Sequence, residues 1–243
     1  MLCWFAHAGA QQFWLTHPQN AIKWNVPALA AHNISLQYER ALNSKMSVAL
    51  GLNLMPGGSV PLAQSIRDYY VGEASNKNTE AANDFARNAE LSGWSITPEF
   101  RYYFGKKEQQ GIYLAPYARF AQYTFKWNHT FDDNDVRRPT DITGKLTVAG
   151  GGLIVGHQWH FNKLLLDWWI LGLSYNLNSL HVNAKTDLSD KTEKEKRDLK
   201  RDIEDITVNG RGMNATVTDR GATGRGSMGL PGIRVGLSVG YRF

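Results

Sequence analysis

Alternation of apolar and polar positions organises this chain, and it is cleanest at the C-terminal end. Ile233, Val235, Leu237, Val239, Tyr241 and Phe243 share one parity, while Arg234, Gly236, Ser238, Gly240 and Arg242 share the other. Period-2 alternation sustained this long predicts a strand. Soluble strands run nearer about five or six residues, whereas a membrane-crossing strand needs about 9–11. The pattern recurs upstream. Over 93–104, Trp94, Ile96, Pro98, Phe100, Tyr102 and Phe104 oppose Ser95, Thr97, Glu99, Arg101 and Tyr103. Over 45–54, Met46, Val48, Leu50, Leu52 and Leu54 oppose Ser47, Ala49, Gly51 and Asn53. Residues 33–39 set Ile34, Leu36 and Tyr38 against Ser35, Gln37 and Glu39, and residues 21–28 set Ile22, Trp24 and Val26 against Lys23 and Asn25.

Three further strands are predicted at 111–126, 146–161 and 164–177. Their facing is not fixed by the sequence. The Gly150-Gly151-Gly152 run is a place where the phase can change, and 164–177 is almost wholly apolar apart from Asp167. The count is eight. Tight connections at 42–44, 105–110 and 161–163 alternate with long ones at 55–92, 127–145 and 178–232, and 29–32, between the first two strands, is the one short member of the second set. Short turns at one end and long loops at the other are how outer-membrane barrels are built. The expected fold class is therefore all-β: an eight-stranded antiparallel transmembrane β-barrel with short periplasmic turns and long extracellular loops. Both termini then lie on the periplasmic side. A soluble eight-stranded barrel would instead bury the Trp, Phe, Leu and Val parity and show Gly, Ser, Glu and Arg to water.

Composition narrows the functional classes. The length of 243 residues suits a single barrel domain, with loop insertions at about 57–91, 127–145 and 183–231. The net charge of +5 is small and dispersed, which argues against nucleic acid as a partner. Cys3 is the one cysteine, so no disulfide forms within the chain. Mean hydropathy is −0.39, and no apolar run is long enough for a membrane helix. The first ten residues, with Ala6-His7-Ala8 and Ala8-Gly9-Ala10 as small-residue cleavage patterns, read as a signal-peptide remnant, the mature chain starting near Gln11.

The strand motifs resemble those of the DUF3575 family of Bacteroidota outer-membrane proteins. The carrying segments are Lys23-Trp24-Asn25, Asn33-Ile34-Ser35-Leu36-Gln37-Tyr38-Glu39, Pro98-Glu99-Phe100-Arg101-Tyr102-Tyr103, Gly156-His157-Gln158-Trp159 and the closing residues 236–243. The resemblance implies an outer-membrane barrel over roughly 20–243. It brings no biochemical activity with it. Family members resemble components encoded beside surface-fimbria genes, which implies a partner role. The loops at 57–91 and 183–231 look longer than the family core needs.

Candidate chemistry lies on the inward parity. Lys23, Glu39, Glu99, Arg101, Arg119, Arg234 and Arg242 are expected to form a lumen polar network. An eight-stranded barrel is only wide enough for side chains to fill it, and charges buried there must pair. The expected result is a structural plug; a gated ion path is the alternative. Val239, Tyr241 and Phe243 resemble the terminal signal read by the barrel assembly machinery during biogenesis.

Other sites are weak. His157 and His160, three apart on a strand, face opposite ways and make poor co-ligands. Neither His32 with Ser35 nor His181 with Ser179 completes a hydrolytic triad. No phosphate-cradling motif accompanies the glycines at 210–229. A charged helix is expected within 186–207, with Glu193/Arg197, Lys194/Asp198, Lys200/Glu204 and Arg201/Asp205 at i,i+4. A weaker helix is expected at 79–91, and the two loops together would cap the mouth. The function expected from the sequence is a non-enzymatic, cofactor-free outer-membrane component of a cell-surface assembly. It would contact membrane lipid and meet a protein partner through its extracellular loops. A narrow channel or small-solute transporter is the alternative, and an outer-membrane lipid hydrolase stands third.

Overall fold

A computed structural model describes residues 19–59, 84–85, 87–133, 136–205 and 212–243. The expected signal remnant at 1–10, and residues 79–83 and 86 of the helix expected at 79–91, lie outside those residues. The strands are β1 (Asn20–Asn25), β2 (Ile34–Ala41), β3 (Met46–Ser59), β4 (Glu90–Tyr103), β5 (Gly111–Asp133), β6 (Val136–Phe161), β7 (Leu164–Lys185), β8 (Asn214–Thr218) and β9 (Gly221–Arg242). Helix α1 spans Glu193–Glu204, and a 3-10 turn spans Pro27–Ala31. Neighbours run antiparallel from β1 through β7 to β9, and β9 pairs back onto β1, so eight strands close a ring. β8 pairs only with the far end of β9 and stands outside that ring.

Ring closure is sealed at the chain's last residue. The Asn20 N–H donates to the Phe243 carbonyl at 3.1 Å, and the Phe243 N–H donates back at 2.9 Å. That end also carries the tight turns. Asn43 Oδ1 accepts from the Lys45 and Met46 N–H groups, forming an Asx turn. Asn162 sits at φ 60°, as a two-residue hairpin requires. At Gly105 an added Cβ would lie 1.8 Å from the Gln110 carbonyl oxygen, so no side chain fits.

Side chains are distributed inside out relative to a soluble barrel. Ile22, Trp24, Leu36, Leu52, Trp94, Phe120, Leu173 and Ile233 all point outward and are exposed. Lys23, Glu39, Ser95, Thr97, Glu99 and Arg101 point inward and are buried. The outward face turns polar at Gln122 on β5, Thr147 on β6, Ser179 on β7 and Ser227 on β9. The apolar belt on β5 thus covers 112–120, close to the height a membrane-spanning strand needs.

The segment 127–145, expected to be a loop, is paired strand instead. β5 and β6 stay in register from Gly111↔Gln158 out to Asp133↔Val136. Most of 183–231 is likewise strand or helix: β7 reaches Lys185, and β9 begins at Gly221 rather than near 233. β3 similarly runs on to Ser59 and β4 begins at Glu90. The physical reason is that, beyond the apolar belt, the outward face turns polar, and on β5 the apolar parity passes to the inward positions Phe125, Trp127 and Phe131. The alternation changes phase there instead of extending the belt's stripe. At about 3.3 Å per residue, the 23-residue β5 is about 75 Å long.

The facing of β7 reverses along its length. Leu165, Asp167 and Trp169 are buried inward, and then Gly172 and Ser174 take over that side. A bulge at Ile170-Leu171, both exposed, inserts the extra residue; pairing to β9 jumps from Trp169↔Gly236 to Gly172↔Arg234. Helix α1 falls within the predicted 186–207 and opens on a capping box between Thr192 and Glu195. Of the four predicted i,i+4 pairs, Lys200–Glu204 forms, at 3.7 Å. Lys196–Glu193 and Arg201–Asp198 form at i,i+3 instead.

Candidate functional site

The inward side chains of the belt form one connected ionic lattice. Arg101, fully buried, is its centre. It donates through Nε and Nη2 to Glu99 Oε2 at 3.1 and 2.7 Å, through Nη1 to Asp167 Oδ2 at 2.7 Å, and through Nη2 to Gln37 Oε1 at 2.9 Å. Its guanidinium lies 4.6 Å from the Tyr113 ring centre. Lys23 Nζ donates to Asp167 Oδ2 at 2.7 Å and Gln158 Oε1 at 2.6 Å, and it pairs with Glu39 Oε2. Glu39 also accepts from Tyr103 Oη at 2.6 Å and from Ser47 Oγ. The Tyr113 hydroxyl donates to Asp167 Oδ1 at 2.7 Å.

Arg234 extends the lattice away from the turns. Its Nη1 donates to Glu99 Oε1 at 3.3 Å, and its guanidinium lies 4.3 Å from the Trp169 ring and 5.4 Å from that of Tyr117. Signs therefore alternate along Arg234, Glu99, Arg101, Asp167, Lys23 and Glu39, and Arg101 Nη1 closes the path back onto Glu39 Oε2 at 3.6 Å. Three cations balance three carboxylates. Every strand of the ring contributes: Lys23 from β1, Glu39 from β2, Ser47 from β3, Arg101 from β4, Tyr113 from β5, Gln158 from β6, Asp167 from β7 and Arg234 from β9.

Of the seven predicted lumen residues, Lys23, Glu39, Glu99, Arg101 and Arg234 are brought together here. Arg119 faces inward farther from the turns, where it donates to Tyr123 Oη at 2.7 Å. Arg242 is buried at the turn-bearing end, lining a crevice with Glu39, Gln109 and Gln158. Asp167, Gln37, Gln158, Tyr103 and Tyr113 were not legible as members. The one usable signal for Asp167 was a lone carboxylate in an apolar strand. Such a group is costly unless paired.

The remaining candidates do not assemble. No group of three or more His, Cys, Asp or Glu could hold a metal among the described residues. His32 closes the 3-10 turn with φ 51° and a backbone bond to Leu29. His181 lies opposite Lys145 and Arg225, not an orienting carboxylate. Val239, Tyr241 and Phe243 are exposed and outward at the ring's closing edge.

Beyond the belt the inward face of β5 becomes aromatic. Trp127 and His129 stack with ring centres 4.7 Å apart, and Phe85 meets Phe125 and Trp127 edge-on. Asp84 fastens that contact, accepting from Trp127 Nε1 at 2.8 Å and pairing with His129 Nδ1 at 2.5 Å. Burial pushes the Asp84 carboxyl up, but hydrogen bonds from Trp127, His129 and Asn88 outweigh it, and the net displacement is downward. On the other hairpin, Ile203 of α1 approaches Gly224 of β9 beside Met213.

Among solved structures, the chain is similar to a major outer membrane protein from Thermus thermophilus. That likeness has 12% identity and a TM-score of 0.37, over 93% of this chain and 99% of that one. No curated protein matches it. A family model described as a protein of unknown function matches residues 1–200, and on that match the chain belongs to the DUF3575 family.

Proposed function

We propose that this protein is a sealed outer-membrane barrel that serves, without catalysis, as an accessory of a cell-surface assembly. One observation carries the reading: a closed ring wears a continuous apolar belt outside and an internally neutralised ionic lattice inside. Only a lipid surround makes that distribution favourable, since a spanning sheet must satisfy its backbone by closure. The short turns and both termini then face the periplasm. β5, β6, β7 and β9, with α1, project outward well past the lipid and present a surface for a protein partner.

The lattice supports a sealed lumen over a channel. Charges packed at 2.6–3.1 Å across the ring leave no room for a hydrated ion at that level. The exposed Val239, Tyr241 and Phe243 serve as the signal for barrel insertion.

Fractionation and heat-dependent migration on SDS gels test the membrane placement. Recovery with the soluble fraction overturns it. Mild-detergent extraction followed by mass spectrometry tests the accessory role. The expected result is a stoichiometric partner that is lost when residues 186–207 are deleted from a still-folded barrel. Unchanged recovery after that deletion removes the docking role of the α1 hairpin.

A further inference from the structure

The outer wall carries a groove that the lumen reading does not use. Register aligns Tyr38, Leu50 and Pro98 in one row across β2, β3 and β4, and Arg40, Val48 and Phe100 in the next. On β5, the pairs Ile96↔Phe120 and Glu99↔Tyr117 place Ala118 beside Pro98. Pro98 and Pro116 have no N–H to donate, and the β4–β5 ladder thins between Ile96↔Phe120 and Tyr102↔Leu114. Small residues there, ringed by Phe100, Leu50 and Tyr38, leave a groove of about 580 Å³. That is within the usual range of a small-molecule site, about 300–1,000 Å³.

Arg40 stands at the β2 end of the groove, one residue from the end of that strand and close to the short turns. It is exposed. Among the described residues it donates from Nη1 to Asn20 Oδ1 at 3.4 Å, a long contact, and Tyr38 Oη already claims that oxygen at 2.7 Å. No carboxylate pairs with it among the described residues. An arginine at the edge of an apolar belt snorkels toward the headgroup level. Its planar fork suits a phosphate diester.

We infer that this groove binds a glycerophospholipid of the leaflet facing the short turns, its acyl chain across Pro98 and Ala118 and its phosphate on Arg40. The inference rests on the membrane placement proposed above. The cation and the apolar trough border one groove, as an amphiphile requires. A free phosphate ion has no use for the trough.

The test uses the full chain in zwitterionic nanodiscs, with phosphatidylglycerol spin-labelled on its acyl chain as the probe. Wild type should show about one immobilised label per barrel beyond the general lipid shell. Ala118→Trp, which fills the trough from outside, should abolish it. Arg40→Gln should weaken retention about tenfold, and Leu173→Trp on another strand should leave it unchanged. Equal immobilisation in wild type and Ala118→Trp overturns the site while leaving the barrel reading intact. Retention of spin-labelled stearate as tight as that of the phospholipid overturns the phosphodiester assignment. Failure of the wild-type chain to enter the nanodisc overturns the membrane placement itself, and the site with it.

Discussion

Replacing Asp167 by Asn tests the lattice at the carboxylate that joins its two most deeply buried cations. Asp167 accepts from Lys23, Arg101 and Tyr113, each at 2.7 Å, and has no solvent exposure. Asn keeps the shape, but it removes the charge and turns an amide donor toward cations that can only donate. Three cations then face two carboxylates in a site water does not reach. Breaking one side of a buried ion pair costs about 3–5 kcal/mol, and we expect a loss of that size. Removing charge in balance should restore most of it. Asp167→Leu with Lys23→Met leaves Arg101 and Arg234 facing Glu39 and Glu99. That double variant should lie within about 2 kcal/mol of wild type, because apolar replacement of a whole buried pair is often nearly neutral. Urea unfolding in detergent micelles, followed by tryptophan fluorescence, gives the difference from midpoint and slope. A single variant within about 0.5 kcal/mol of wild type refutes the lattice as an energetic unit, since that is the range of an ordinary surface change.

The remaining expectations concern the lumen, the turns and the projecting hairpins. Planar-bilayer recordings of wild type should show no unitary steps, whereas Glu99→Ala with Arg101→Ala should admit small ions; steps in wild type contradict a sealed lumen. Thr192→Ala removes the α1 cap and should cost about 1 kcal/mol locally, read as faster amide exchange at Glu195 with the barrel unchanged. Gly105→Ala should sharply reduce the yield of folded barrel, because its Cβ meets the Gln110 carbonyl at 1.8 Å; a normal yield contradicts that turn. Asp84 holds its segment on β5 with a carboxyl below the ordinary 3.8. That contribution is complete above the ordinary value and is lost as pH falls through the lowered one. Trp127 emission should therefore change in acid, and Asp84→Asn should abolish the change.

Legibility followed the solvent. β3, β4 and the last half of β9 were readable because one face meets an apolar surround and the other a polar lumen. β7 hid its facing for two reasons. Leu165 and Trp169 turn inward among apolar neighbours, and the bulge at Ile170-Leu171 reverses the parity midway. Asp167 was hidden with it, so the lattice was expected without one of its three carboxylates. The outer ends of β5 and β6, residues 127–133 and 136–145, were missed because the apolar parity changes sides there. Outward Leu114 and Phe120 give way to inward Phe125, Trp127 and Phe131, so the alternation no longer reads as a lipid-facing stripe.

The alternating path of charges also sets the order in which this protein is completed. Lys23 enters first, on β1, and meets Glu39 on the neighbouring β2, but its second carboxylate on β7 arrives 144 residues later and its amide partner on β6 135 residues later. Arg234 reaches Glu99 from the final strand across 135 residues. The first four strands are already balanced, because Lys23 pairs with Glu39 and Arg101 with Glu99. Asp167 and Arg234, on β7 and β9, are the charges that gain their partners only when the later strands meet that half, which favours closing the ring over charges already in place.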